Sequence, residues 1–580
     1  MGTIHSIERH RSDILILGSG GAGLFAALHA RRAAPEASIT IAVKGLLGKC
    51  GCTRMVQGGY NVALAAGDSA ERHFMDTIEG GKWLNHQELA WRLVTGAQET
   101  IRELENEIGC FFDRNADGTV HQKAFAGQTF DRTVHKGDLT GIEIINRLSE
   151  QVWNAGVRRM EDHRAIAMIP SREGDAIAGV LLIDMRSGAF HLVQARAVLL
   201  ATGGGPTMYR YHTPSGDKSC DGMAMALRAG LSLRDMEMVQ FHPTGLLAGL
   251  DTRMTGTVLE EGLRGAGGYL LGGDRQRFMH KYDPKLERAT RDIVSRAIYQ
   301  EMLDGNVSPM GGVYLQMHHL GADNVRRQFK GMVERCEDCG FDLAGGLVEV
   351  VPTAHYMMGG VEFEPDCRST IDGLFVAGED SGGVHGANRL GGNGVANSTV
   401  FGRIAGRSMG ERVLAGAPLH EPDTHAMEAG VAAALAPLRQ PPGDVGELRA
   451  ALAALMWDKV GILRDASGLA SACGELTALD EAMDHIGVEG ASLAYNLSWH
   501  DWLNLKSLIL VSRTITAAAM AREDSRGAHF RSDHPLSGAE EESSFTRVRL
   551  ADGALAVSMQ AVDFTRVRPG QTLIDDEQAA

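Results

Sequence analysis

Apolar and polar positions divide the chain into distinct kinds of element. Ser12-Asp-Ile-Leu-Ile-Leu17 reads as a buried strand, and the residues from Leu24 to Arg32 carry helical spacing. Gly18-Ser-Gly-Gly-Ala-Gly23 stands between them, so the order is strand, G-x-G-x-x-G, helix. That order predicts a dinucleotide-binding unit. Gly18 makes a tight turn, Gly20 lets the backbone reach a pyrophosphate, and Gly23 permits close helix–strand packing. The helix N-terminus then favours the phosphate charge. A second strand, Ser38-Ile-Thr-Ile-Ala-Val43, ends in Lys44 instead of the Asp or Glu that would hold an NAD ribose. This leaves room for FAD. The glycine-flanked loop from Gly48 to Gly59 is expected to run along a flavin ring.

Helices are predicted over 86–109 and 141–152. Val180–Asp184 and Phe190–Gln194 read as a hairpin, and Ala197–Pro206 as a further buried strand that ends in glycines. Asp221 opens a helix, where it either accepts from a ribose or caps the helix. Paired charges then dominate, as in Glu260-Glu-Gly-Leu-Arg264 and Arg291-Asp-Ile-Val-Ser-Arg296. Gly373–Glu379 returns as a short strand. Residues 426–521 are Ala/Leu-rich and helical, with a break at Pro441-Pro442. The expected fold class is α/β: a Rossmann-like FAD-binding domain with an inserted α+β capping domain and a C-terminal helical bundle. The expected boundaries are 10–245 with 351–425 for FAD binding, 246–350 for capping, 426–530 for the helices, and a tail over 531–580.

Composition narrows the function. At 580 residues the chain exceeds one hydrophobic core. A net charge of −16 argues against nucleic acid as a partner but leaves room for a small anion in a locally positive site. No run of about 18 apolar residues exists, so no membrane span is expected. The segment Met1–His10 lacks an apolar signal core, and a cytoplasmic location follows. The eight cysteines form no disulfide framework in so long a chain. Cys336-x-x-Cys339 has no second pair, so no metal is expected there.

Thr353-Ala-His-Tyr-Met-Met-Gly-Gly360 and His385-Gly-Ala-Asn-Arg-Leu-Gly-Gly-Asn393 bring histidine, arginine and glycine close together in sequence. An arginine fork suits a carboxylate, and a histidine adds a donor. With Gln57-Gly-Gly, Phe125-x-Gly-Gln, Gln240-Phe-His-Pro-Thr-Gly, Glu261-Gly-x-Arg-Gly and Ser525-Arg-Gly-Ala-His-Phe-Arg, these stretches resemble the succinate dehydrogenase/fumarate reductase flavoprotein family, which includes L-aspartate oxidase. The resemblance runs from about residue 12 to 535. It implies a dicarboxylate lying over FAD, with hydride exchanged at flavin N5 and a proton moved at the neighbouring carbon. By position, Arg291 matches the proton donor or acceptor, and Glu261 and Arg264 match its relay to solvent. His242, His355 and Arg389 match the carboxylate clamp, His242 counting among the catalytic group. Phe125, Gln128 and Glu260 line the substrate site. The resemblance places Gly18, Ser19, Gly20, Gly23, Lys44, Cys52, Thr53, Gln57, Gly58, Gly59, Ala165, Asp221, Glu379, Arg389, Gly394 and Val395 at the cofactor. Arginine is an unusual acid–base group, with a pKa above about 12, and needs a dry site and a neighbour that returns the proton.

Two positions depart from the family. Cys52 stands where respiratory members carry a histidine bonded to the flavin, so FAD without that bond is expected, with a lowered potential. Glu260 replaces a threonine that donates to a substrate carboxylate. An ionised glutamate cannot donate, so Glu260 turns away, is protonated, or faces an amine, hydroxyl or further substituent. Ala266 and Cys220 also depart, without an account from the sequence. The leading reading is an oxidoreductase interconverting saturated and unsaturated di- or tricarboxylates. An amino-dicarboxylate oxidase of the aspartate type is the alternative, and a non-catalytic flavoprotein scaffold a third. The chain has no cluster-binding cysteine spacing, so the electron partner is an iron–sulfur subunit or a soluble acceptor, and any membrane attachment is peripheral, through a partner.

Overall fold

The computed structural model describes residues 7–249, 252–490 and 492–574. Part of the expected N-terminal segment, residues 1–6, and the end of the expected tail, 575–580, lie outside the described residues. The first strand, Ile7–Leu17, begins before the apolar run and lies inside a seven-stranded sheet. Its parallel neighbours are Ile39–Val43 and Phe190–Leu200. The helix between the first two strands, Gly21–Ala33, follows the glycine loop directly.

One expectation is corrected. The hairpin arm at Phe190 and the buried strand at Ala197 are a single strand, Phe190–Leu200. One edge pairs with the first strand throughout. The other edge pairs first with Ile177–Asp184 and then with Leu374–Val376. Gln194 and Arg196 look like a break in the apolar run. Their polar ends are satisfied instead: Gln194 donates to the His420 carbonyl, and Arg196 donates to the Ala417 carbonyl and pairs with Asp13.

Helix Asn393–Leu414 packs along helix Gly21–Ala33, and its N-terminus meets the glycine loop. Gly402 and Gly406 recur one turn apart on its contact face. A Cβ there would lie 2.5 Å from the Ala22 oxygen and 2.3 Å from the Ala26 oxygen. The missing side chains let the two backbones touch.

A second core draws its residues from Leu246 to Val350. Its antiparallel sheet runs in the order Val239–Leu246, Leu347–Met357, Val313–Gln316, Tyr269–Leu271. Helices Thr424–Leu435, Val445–Lys459, Ala466–His485 and Leu497–Ala521 follow, with Pro441-Pro442 in the break between the first two. The strands Ser544–Ala551 and Ala554–Ala561 form a terminal hairpin. Glu237 ties these last elements to the site strand, accepting from Arg522 at 2.6 Å and from Thr546 at 2.7 Å.

Candidate active site

A long cavity runs from Lys44 and Asp221, past the glycine loop and the Cys50–Gly59 segment, to His242, Arg291, His355 and Arg389. These residues lie far apart along the chain; the sheet and the two packed helices bring them to one cleft.

The first end is shaped for a dinucleotide. Gly18 adopts φ +107°, and a Cβ on it would sit 2.1 Å from the Ala201 oxygen. Only glycine makes that turn without strain. A Cβ on Gly23 would lie 2.0 Å from the Gly18 oxygen, so this residue packs the loop and does not face the cavity. The helix that starts at Gly21 has no acidic residue in its first turn and no side-chain cap from Gly20, and only its first amide is taken, by Thr53 Oγ1 at 3.2 Å. Its positive dipole end and the amides that follow Gly21 are therefore open to a phosphate.

Asp221 does not cap its helix, Asp221–Arg228, because Cys220 holds the cap position in a left-handed conformation. Asp221 instead accepts from Lys44 at 2.9 Å and from Arg164 at 2.8 Å. Burial opposes its charge, but Arg164 and Lys44 hold the carboxyl well below its ordinary range. Lys44 also donates to Ser219 and Asn504. Glu379 accepts from the Met357 amide at 3.0 Å, and burial pushes its carboxyl up to about 7. These features fit a cofactor with a pyrophosphate and a ribose. Ser19, Gly20, Cys52, Thr53, Gln57, Gly58, Gly59, Ala165, Gly394 and Val395 all line the same cavity.

The second end is built on an irregular ladder. Strand Val239–Leu246 pairs with Leu347–Met357, but the register shifts between Gln240 opposite Tyr356 and Phe241 opposite Ala354. His355 is the extra residue of that bulge. A bulge re-aims a side chain, and here the ring lines the cavity. A second shift between His242 and Gly245 accommodates Pro243, which has no amide to donate. The Thr244 amide donates to His242 Nδ1 at 3.3 Å, leaving Nε2 to carry the proton. His355 Nδ1 meets Thr213 Oγ1 at 2.9 Å. Burial, then the charge of Arg291, keeps both imidazoles well below their ordinary range, so both are neutral donors.

Arg291 is the first residue of helix Arg291–Leu303. A cation there opposes the helix dipole. Glu261 offsets it, accepting from Nε at 2.8 Å and from Nη2 at 2.6 Å. Arg389 is placed differently. It is buried to 5% exposure, and its partners are neutral: the Gln240 Oε1 at 3.0 Å, the Leu390 carbonyl at 3.4 Å, and the Tyr356 ring beneath it at 4.4 Å. Its Nε has no partner. Burial, then repulsion from Arg291, pushes Arg389 down to about 10. Gln240 Oε1 also accepts from Arg291 at 3.0 Å, so one amide oxygen bridges both guanidinium groups. A Cβ on Gly391 would lie 2.7 Å from Phe125 and 2.9 Å from Glu261, so glycine there lets this cluster close.

Arg264 lies behind the pocket, 3.8 Å from Glu261, and donates to the Glu287 carbonyl at 2.7 Å. Arg291 and Glu261 are thus hydrogen-bonded, and buried Arg264 stands behind Glu261 at ion-pair distance. Phe125 lines the cavity, whereas Gln128 does not; its amide donates to the Gly391 carbonyl at 3.0 Å. Glu260 stands between this cavity and a second one of about 680 Å³. Its carboxylate pairs with Lys123 at 3.3 Å, and burial raises its pKa. Lys123 thereby draws the charge away from the pocket.

Gln240, Tyr356 and Arg164 were missed as site residues. Gln240 and Tyr356 adjoin the motifs of His242 and His355, and that adjacency was the available signal. Arg164 adjoins Ala165, but its role depends on partners on two distant helices, Asp221 and Asn504.

Known proteins resemble this chain over nearly its whole length. A family model described as an FAD binding domain matches residues 13–395, and one described as the fumarate reductase flavoprotein C-terminal region matches 449–573. An uncharacterized FAD-dependent oxidoreductase of Methanocaldococcus jannaschii is 38% identical, over 90% of this chain and 94% of its own. The fumarate reductase flavoprotein subunit of Escherichia coli is 32% identical, over 99% of this chain and 98% of its own. Among solved structures, a mutated E. coli quinol fumarate reductase chain aligns with a TM-score of 0.91 at 32% identity, covering 97% of this chain and 99% of that one.

Proposed function

The chain belongs to the succinate dehydrogenase/fumarate reductase flavoprotein family, and from that premise we propose that it interconverts succinate- and fumarate-like acids at the end of the cavity that holds Arg389. The observation that carries this reading is the buried cation of Arg389, which has neutral partners and one unpaired nitrogen. Burying an unpaired charge is costly, and an anionic ligand removes that cost. Bound FAD supplies the two-electron exchange with the substrate carbon. Arg389, His242 and His355 hold the carboxylates and stabilise the charge that develops on one of them. Arg291 holds the proton that moves at the neighbouring carbon, and Glu261, bonded to two of its nitrogens, exchanges that proton with it. Arg264 continues the path behind Glu261.

The names of the relatives favour this reading over an amino-dicarboxylate oxidase, and the complete set of donors argues against a scaffold. Residues 246–350 serve as the capping domain in this proposal. Among the described residues no helix is long and apolar enough to cross a membrane. In this reading electrons pass to or from an iron–sulfur subunit or a soluble acceptor, and the chain works in the cytoplasm, reaching a membrane only through a partner.

Two measurements test the reading. The FAD-loaded protein is expected to bleach with succinate or, once chemically reduced, to reoxidise with fumarate. Arg291→Gln is expected to lose about 10²–10⁴ of that rate while flavin content is kept. A variant as fast as the wild type removes Arg291 from the proton step. FAD is held without a covalent bond in this reading. Burial pushes the Cys52 thiol up to about 12, although part of its surface opens to the cavity, so it stays protonated and unreactive. Acid precipitation is expected to release all the yellow colour, and a chain whose mass retains FAD would refute this.

A further inference from the structure

Away from the cleft, three histidines and two carboxylates gather on one face of the seven-stranded sheet. Glu8 and His10 are two residues apart on strand Ile7–Leu17, so they share a face. The parallel neighbour places His191 directly opposite Glu8. His10 Nε2 and His191 Nδ1 are 2.8 Å apart. Glu8 Oε2 lies 3.9 Å from the first and 3.6 Å from the second. Four ligands placed tetrahedrally at about 2.0–2.1 Å from a Zn²⁺ ion stand about 3.3 Å from one another. The three observed separations bracket that value.

We propose that Glu8, His10 and His191 form a three-ligand site for a borderline divalent transition metal such as Zn²⁺, with a fourth position open to solvent. Two imidazoles and one carboxylate select this class over Mg²⁺ or Ca²⁺, which prefer all-oxygen shells. The two facing nitrogens share one proton, and an ion displaces it. Two paired strands fix the backbone positions of all three residues. Burial lowers the pKa of both rings, with Arg158 adding to the effect on His10 and His163 to that on His191. His163 and Asp184 flank His191 and complete a second, overlapping group of ligand atoms. His163 also lines the cofactor cavity, so the ion would clip the first strand to its neighbour beside that wall.

One group opposes binding. Arg158 lies 3.2 Å from His10 Nδ1, the nitrogen that must carry a proton when Nε2 binds metal. Arg158 is exposed and has to swing aside. Its removal is therefore expected to tighten the site.

The test is equilibrium dialysis of the FAD-loaded protein against Zn²⁺, with Co²⁺ absorption to the red of the flavin as a second readout. The wild type is expected to retain one Zn²⁺ per chain more than His10→Ala/His191→Ala. Glu8→Gln, at an exposed side chain, is expected to bind about tenfold more weakly, and Arg158→Ala several-fold more tightly. Zn²⁺ should raise the melting temperature of the wild type and of Arg158→Ala but not of His10→Ala/His191→Ala. Equal metal in the wild type and in both ligand variants overturns the proposal, since that metal would sit on the free cysteines. A Co²⁺ spectrum without tetrahedral bands overturns it as well, and Glu8→Gln decides the matter if the double variant loses flavin.

Discussion

The two ends of the cavity solve opposite problems with similar residues. At the dinucleotide end, Lys44 and Arg164 both bind Asp221, so each cation has a carboxylate partner within the protein. At the substrate end, Arg291 and Arg389 converge on the one oxygen of Gln240, and Arg389 has no carboxylate of its own. The first end is finished before any ligand arrives. The second is left with one guanidinium that has no carboxylate, and an anionic substrate completes it. A cofactor that stays bound needs a stable cradle, whereas a substrate that comes and goes is drawn by charge left uncompensated.

Breaking the finished end should cost the most. Asp221→Asn leaves Lys44 and Arg164 without their counter-charge, and removing one partner of a buried pair costs about 3–5 kcal/mol. Chemical denaturation should register that loss, together with weaker FAD retention. A variant as stable as the wild type would mean that the two cations find other partners.

The unfinished end should respond in activity before stability. Gln240→Leu removes the oxygen shared by two guanidinium groups, and hydrogen bonds to charged groups contribute about 1.5–3 kcal/mol. kcat/KM is expected to fall by roughly 10–100-fold, with a smaller loss of stability than Asp221→Asn. An unaltered kcat/KM would show that the arginines hold their places without Gln240.

The smallest effect concerns pH. His73 supports the helix of the substrate end, its Nε2 meeting Asn393 Oδ1 at 3.0 Å, and burial lowers its pKa to about 4. The unfolded chain takes up a proton near pH 6.5, but the folded chain does so only near 4. Stability is therefore unaffected above 6.5 and falls as the pH drops through that window. At pH 5.5 this one group should cost about 1.4 kcal/mol. Urea titrations of the wild type and His73→Asn at about pH 7.5 and 5.5 check it; equal pH dependence in both would remove His73 as the cause.

Much of this was legible in the sequence because it is local. The glycine loop, its flanking strand and its helix lie in one stretch of chain, and their order alone specifies the turn and the phosphate-binding helix end. The motifs of His242, Arg291, His355 and Arg389 marked an anion site for the same reason. Other features were not legible. Phe190–Leu200 looked like two strands because the partners of Gln194 and Arg196 lie far away in sequence, at His420, Ala417 and Asp13. Asp221 was ambiguous between a cap and a ribose contact until Lys44 and Arg164 were seen beside it.

By itself the sequence determined the chemistry available: which residues can donate, accept or carry charge, and which backbone turns only glycine permits. Tertiary structure decided how that charge is apportioned. It paired Lys44 and Arg164 with Asp221, drew Glu260 to Lys123, turned His355 inward through a one-residue bulge, and left Arg389 among neutral groups. Electrostatic energy depends on distance and burial, and neither is a property of sequence spacing.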